Sequence, residues 1–236
     1  MPGRTQFTDA LLLRSVDYGD ADRIVTLLTP ELGKVSLLAR GARRSRRRFG
    51  GALEPYCVLR AEVGSGRGEL GRLAQAQVSR PFPGILKDLR KMLAAGAACE
   101  LLQKAVPPRE PDARLFETAV AFLEALDGVE VGREELLLAF RVRLMALVGF
   151  APGLDVCADC GTRAPEGQAA AFDPHRGAVV CQGCGGAPIL LSGGTRRRLR
   201  SAVGRSWTEQ PPWSEREREQ AGRAVEALIA RHLGKS

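Results

Sequence analysis

The chain has 236 residues, 44% of them hydrophobic and 26% charged, enough apolar side chain for one large core or two to three smaller ones. A formal net charge of +8 points to an anionic partner, and it is uneven: +6 over residues 1–80, −3 over 81–188 and +5 over 189–236. The longest uncharged run, Gly177–Thr195, holds six glycines and two cysteines, which excludes a membrane span; the first ten residues lack a signal peptide's apolar stretch, so a cytosolic protein is expected.

Residues 8–80 break into short runs separated by turn residues: DALLLRSVD, ADRIVTLLT, VSLLARGA, EPYCVLRAEV and LGRLAQAQVSR. They predict about five strands. In EPYCVLRAEV the alternate residues Cys57, Leu59, Ala61 and Val63 are apolar and Arg60 and Glu62 fall between them, the pattern of a strand with one buried face. Pro30–Gly33 and Gly64–Gly68 read as hairpin turns. Five strands in so short a segment favour an OB-type barrel over an eight-stranded one.

Between the third and fourth strands lies ARGARRSRRRFGGAL, in which Arg40, Arg43, Arg44, Arg46, Arg47 and Arg48 occur without an acid. Such a run is often only a solvated loop. Here strands anchor its ends, so the guanidinium groups are held together against a repulsion that an anion would relieve. Their forks match phosphate bidentately, and a basic groove beside an OB barrel suits a nucleic-acid backbone. Binding of this kind falls steeply with salt, with a log–log slope of roughly −0.7 per phosphate on single strands. Base stacking would need exposed aromatics, and the barrel offers Phe7, Tyr18, Phe49 and Tyr56, with Phe49 open between core anchor and stacking platform. Electrostatics is therefore expected to dominate, which permits duplex as well as single strands. Asp17, Asp20 and Asp22 read as turn and surface residues, the alternative being a Mg2+ site for nuclease chemistry.

From Pro81 the period changes to helical. Leu86, Leu89, Leu93, Ala97 and Leu101 share one face, as do Leu115, Ala119, Phe122 and Leu126, and then Leu137, Phe140, Leu144 and Leu147. These predict three helices after the barrel. Arg141 and Arg143 sit on the third; snorkelling is the plain reading, reception of an acidic peptide tail the alternative.

Cys157-Ala-Asp-Cys160 and Cys181-Gln-Gly-Cys184, twenty residues apart, match the spacing of a four-thiolate zinc site. Four anionic ligands leave no position for water or substrate, so one structural Zn2+ is expected. Glycines at 161, 183, 185 and 186 relieve strain in the two knuckles. A thioredoxin-like motif would need a neighbouring βαβ unit, and a zinc deaminase would need H-x-E, which neither His175 nor His232 supplies. His175 reads as a surface or supporting histidine, and Cys57 and Cys99 as small buried thiols.

After Cys184 the chain returns to helix. Thr195–Val203 is a short candidate carrying Arg196, Arg197, Arg198 and Arg200; Ser214 with Glu217 forms a capping box before Ala221, Val225, Leu228 and Ile229. Arg196 and Arg197 join the candidate DNA contacts, with a solvated face as the alternative. No phosphate-binding loop, nucleophile elbow or H-E-x-x-H motif is present, and a non-enzymatic binder is expected.

LLRSVDYGDADRIVTLLTPELGKVSLLARGARRS, then GGALEP and GRGELGRLAQA, resemble the amino-terminal barrel of the RecO family of bacterial DNA repair and recombination mediators, and the cysteine pairs match its zinc-bearing members. The resemblance implies an α+β multidomain fold: an OB-fold β-barrel followed by an α-helical domain with an inserted four-cysteine zinc module. The expected boundaries are 1–80 for the barrel, 81–152 for the helical domain, 153–188 for the zinc module and 189–236 for carboxyl-terminal helices. It further implies binding of single- and double-stranded DNA, annealing of complementary strands, and action with RecR to load the RecA recombinase on DNA coated with single-stranded-DNA-binding protein, whose acidic tail is bound on the helical domain. Lys34, Arg40, Arg43, Arg44, Arg46, Arg47 and Arg48 would be DNA contacts, and Cys157, Cys160, Cys181 and Cys184 the zinc ligands. A cytoplasmic, nucleoid-associated location follows, with no membrane partner. The alternatives of another class are a metal-dependent nuclease and an RNA-binding zinc protein.

Overall fold

In a computed structural model describing residues 5–67, 70–130, 134–207 and 212–234, the alternating apolar runs form five strands: β1 (Thr5–Tyr18), β2 (Asp22–Thr29), β3 (Gly33–Ala39), β4 (Cys57–Arg67) and β5 (Leu70–Pro81). Neighbours pair in the order β1-β2-β3-β5-β4 and β4 returns to β1, closing a five-stranded barrel of the OB type. All pairings are antiparallel except β3 with β5, where Leu37 faces Gly71 and Leu38 faces Arg72. Gly71 lets the strands meet closely at this seam, since a Cβ there would stand 2.6 Å from Leu37 Cδ2 and displace that buried side chain. Alternate residues such as Leu12, Val25, Leu27, Leu37, Leu59 and Leu73 fill the interior.

A register shift between Leu12 and Arg14 bulges β1, and from Arg14 to Tyr18 the strand is exposed along its length. Beyond Leu11 β1 is no longer paired with β4, but β2 stays paired with β3 as far as Arg23–Ala39, so the β1–β2 hairpin extends past β4 with β3 alongside it. At the expected Pro30–Gly33 turn, Thr29 Oγ1 accepts from Leu32 N at 3.0 Å. The turn expected at Gly64–Gly68 begins later than read: β4 stays paired as far as Arg67, opposite Leu70, and Gly68 lies outside the described residues.

The run between β3 and β4 contains a one-turn helix, α1 (Arg46–Phe49), capped by the Ser45 hydroxyl. Next come α2 (Leu89–Ala105) and α3 (Ala113–Gly128). The apolar face expected on α2 is wrong at its start, since Leu86, Leu89 and Leu93 are 57%, 69% and 65% exposed. The buried side is made of Ala95, Ala98, Cys99 and Ala105, whose small side chains face β1 and α3, with Leu101, as expected, and Leu102 beside them. Lys91 is also buried there; its ammonium donates to the carbonyls of Asp127, at 3.1 Å, and Val129, at the carboxyl end of α3. Outward-facing Leu11, Leu13 and Leu28 are buried as α2 packs on β1 and α3 on β1 and β2.

The chain divides into two compact units, Met1–Gly132 and Arg133–Ser236. The second contains α4 (Glu134–Leu147), a sheet of β6 (Ala170–Asp173), β7 (Ala178–Val180) and β8 (Ile189–Leu191) in the order β7-β6-β8, then α5 (Gly193–Gly204) and α6 (Glu215–Leu233). Phe172, Val179 and Leu191 from the sheet share one core with Val142 and Met145 of α4, Leu199 of α5 and Leu228 of α6. The capping box before α6 forms as read: Ser214 Oγ accepts from Glu217 N at 3.3 Å and Glu217 Oε2 accepts from Ser214 N at 2.9 Å.

Candidate metal centre and nucleic-acid interface

The arginine run is an ordered turn with an inside and an outside. Phe49 is 2% exposed in the barrel core, so it is an anchor. Arg48 folds back, donating to Arg40 O at 2.7 Å and Ser45 Oγ at 3.3 Å. Arg43 is tied to the β1–β2 hairpin: its amide donates to Ala21 O at 3.0 Å and its guanidinium lies 3.4 Å from Asp17 Oδ2. The Gly41 amide donates to Asp22 Oδ1 at 2.7 Å. Arg40, Arg44, Arg46 and Arg47 remain exposed and make no ion pair among the described residues. The turn is thus clamped by two arginines and presents four. Asp17 and Asp22 are engaged in holding it, Asp17 pairing also with Arg23 at 3.0 Å, and among the described residues the hairpin's carboxylates form no cluster that could hold a metal.

Two of the expected contacts fall elsewhere. Lys34 is half-buried with its ammonium on the carbonyl of Gln103 in the last turn of α2, and burial lowers its pKa. It serves as a cation at a helix carboxyl end. Arg196 is 2% exposed, with its guanidinium donating to Leu154 O at 2.7 and 3.1 Å, to Pro165 O and Gln168 O at 2.9 Å each, and to Ala164 O at 3.2 Å. It cannot reach DNA, because it is the internal clamp of the strand-poor segment that carries the first cysteine pair. Its helical neighbours Leu199 and Ala202 are buried on the same face, a periodicity the sequence already contained. Arg197 is exposed. Arg143 stacks 3.7 Å over Trp207 and donates to Ala202 O at 2.6 Å, and Arg141 pairs with Glu226 at 3.3 Å, so both are engaged within their own unit.

The four cysteines converge. The sulfur atoms of Cys157, Cys160, Cys181 and Cys184 all lie within 4.8 Å of one another, and those of Cys160 and Cys181 are 3.7 Å apart. Each pair sits in a tight knuckle: Gly161 N donates to Cys157 O and Gly186 N to Cys181 O, both at 3.0 Å. Gly161 (φ +71) and Gly185 (φ +96), each directly after the second cysteine of its pair, take the left-handed backbone that glycine permits; Gly183 does not. Amides of Cys160, Cys181 and Asp159 are directed at Cys157 Sγ and lower its thiol to about 6, while the neighbouring sulfurs, Cys181 first, push Cys184 up to about 12. The Thr162 hydroxyl and amide lower Cys160 as well, so two thiolates are favoured while that of Cys184 is opposed by its neighbours, a conflict that a bound cation removes. These residues can hold a metal ion. His175 is exposed and outside the group. Burial pushes the Cys57 and Cys99 thiols up to about 11 and about 12, which makes them unreactive core residues.

Two family models match the chain, one described as Recombination protein O N terminal over residues 4–82 and one as Recombination protein O C terminal over residues 86–236. A relative named DNA repair protein RecO from Anaeromyxobacter sp. (strain K) is 42% identical over 235 residues, covering 95% of this chain and 90% of the relative. Relatives of the same name from Myxococcus xanthus (strain DK1622) and Geobacter sulfurreducens are 38% identical over 234 residues and 37% over 227, each covering 96% of this chain and 92% of the relative.

Proposed function

The chain belongs to the RecO family of DNA repair proteins, and from that premise we propose that it is a non-enzymatic, DNA-binding recombination mediator whose contact surface is the arginine turn on the barrel. The observation that carries this reading is the set of Arg40, Arg44, Arg46 and Arg47, held exposed on an ordered turn without a carboxylate partner among the described residues. Such a surface neutralises phosphates on either single or double strands and so lets two complementary strands approach closely enough to pair. The free energy of annealing comes from base pairing; the protein removes the repulsion between backbones. In the cell this activity would work with RecR to load RecA on DNA coated with single-stranded-DNA-binding protein, whose acidic tail would dock on the helical part of the chain. Exposed Arg197 is an additional contact in this proposal.

The bound ion would be one Zn2+ with a structural role. Tetrahedral zinc with sulfur bonds of about 2.3 Å sets sulfur–sulfur separations of about 3.8 Å, and the 3.7 Å between Cys160 and Cys181 fits. Four thiolates exclude a substrate from the ion, so it would contribute folding energy and not chemistry.

The test is DNA binding by fluorescence anisotropy across a salt series, for the natural chain and for Arg40→Gln, Arg44→Gln, Arg46→Gln and Arg47→Gln combined. Binding should weaken and the log–log salt slope should flatten by up to about 3, at roughly 0.7 per lost phosphate contact, with the melting temperature unchanged. Unaltered binding would refute the assignment. Competition with RNA strands, and incubation of labelled DNA with Mg2+, separate this reading from an RNA-binding zinc protein and from a nuclease.

A further inference from the structure

Four aromatic residues of the barrel are candidates for contact with bases, and the fold divides them. Phe49 is in the core, and the half-buried Tyr56 donates its hydroxyl to Met92 O at 3.1 Å. Phe7 is 53% exposed near the beginning of β1, with Arg60 over its ring at 5.9 Å. Tyr18 is 55% exposed at the other end of the same strand, with no hydrogen bond among the described residues.

Strand register ties Tyr18 to the arginine turn. Tyr18 pairs with Asp22 across β1 and β2, and Arg23 pairs with Ala39 across β2 and β3, so the next position outward from Ala39 on the far side of Asp22 is Arg40. Residues directly opposite one another share a sheet face, which puts Tyr18 and Asp22 in one row, and Arg40, the first residue past the end of β3, leads the turn toward it. Strands are about 4.8 Å apart, so the turn leaves β3 two strands from β1, at roughly 10 Å. The Gly41 amide on Asp22 Oδ1 fixes the turn to this row and engages the only carboxylate in it. Val16, two residues before Tyr18 on the same face, is 42% exposed and extends the ring into an apolar step. An exposed tyrosine on an apolar step, opposite the residue that holds a turn opening on an arginine without an ion pair, offers a π-face for a base near a cation for its phosphate.

We propose that Tyr18 is a base-stacking contact, so that the arginine turn holds single strands, whose bases are free to unstack, more tightly than duplex. The proposal rests on the reading of the turn as a DNA surface and adds to it a preference that guanidinium groups alone do not give. Duplex DNA keeps its bases stacked and gains only the phosphate contacts.

The experiment uses the full chain and three fluorescein-labelled probes: an oligothymidylate, its duplex with oligoadenylate, and a strand of the same length with abasic sites in place of the bases. Tyr18→Ala should weaken binding to the oligothymidylate by about fivefold or more, as loss of one stacked base requires. It should leave the duplex, the abasic strand and the salt slope unchanged, and Tyr18→Phe should bind like the natural chain because the ring is retained. A loss of less than about twofold on the oligothymidylate, or an equal loss on the abasic strand, overturns the role of Tyr18 while the arginine turn stands. If the natural chain binds none of the three probes, the DNA surface itself fails and the inference with it.

Discussion

At the scale of single residues, arginines close in sequence have opposite fates. Arg196 and Arg197 are adjacent and chemically identical, yet one is internal and the other exposed. The buried guanidinium satisfies four carbonyls, of which Pro165 O also accepts from Gln168 N at 3.4 Å, and such a group costs most when it is removed and its partners stay buried. Arg196→Gln should therefore destabilise the protein by roughly 2–4 kcal/mol in urea unfolding, and Arg196→Lys should not restore it, since an ammonium cannot reproduce the planar fork. Arg197→Gln should stay within about 0.5 kcal/mol of the natural chain. A run of arginines in the sequence shows charge; it does not show which member is internal, because that depends on whether carbonyls of a distant segment arrive to meet it. The apolar positions Leu199 and Ala202 were the available signal for Arg196.

At the scale of elements, periodicity identifies α2 as a helix but misassigns the beginning of its buried face. A leucine stripe is the usual reading of a core face, and here small residues and Lys91 take that place because α2 docks at close range on β1 and α3. Leu89→Gln with Leu93→Gln should change stability by less than about 0.5 kcal/mol, while Leu102→Ala, which empties a packed site, should cost about 2–4 kcal/mol; thermal melts of the two variants separate them. The two cysteine knuckles, apart from the role read for Gly183, and the Ser214–Glu217 capping box were legible, because each is a local structure whose residues lie within a few positions of one another. The α1 turn was legible as charge but not as a clamp, since Asp17, Asp22 and Ala21, which hold it, come from the preceding hairpin.

For the whole molecule, the fold places the arginine turn and the metal centre in different compact units, with Arg197 the one proposed DNA contact on the second. The barrel, its arginine turn and the two helices that cover it belong to Met1–Gly132, and the four cysteines with α4, α5 and α6 belong to Arg133–Ser236. A polypeptide of residues 133–236 should bind one equivalent of zinc, lose it on Cys157→Ser, and lose its cooperative melt on chelation, because the knuckles are fastened to the same core as the helices. A polypeptide of residues 1–132 should keep salt-dependent DNA binding without zinc. Atomic absorption and anisotropy measure the two outcomes. Zinc-dependent DNA binding by residues 1–132 would contradict the separation.

The barrel, the helices, the capping box and the four-cysteine group could be read from the chain alone, because alternation, helical period and knuckle spacing are each written within a short stretch. The concentration of positive charge could be read the same way. It took the folded arrangement to make Phe49 an anchor while Arg40, Arg44, Arg46 and Arg47 face outward, to turn Lys34 and Arg196 to carbonyls, and to set Tyr18 opposite Asp22, which holds the arginine turn. Each of these depends on partners brought from other strands and helices, and a side chain's burial is set by which of them closes over it.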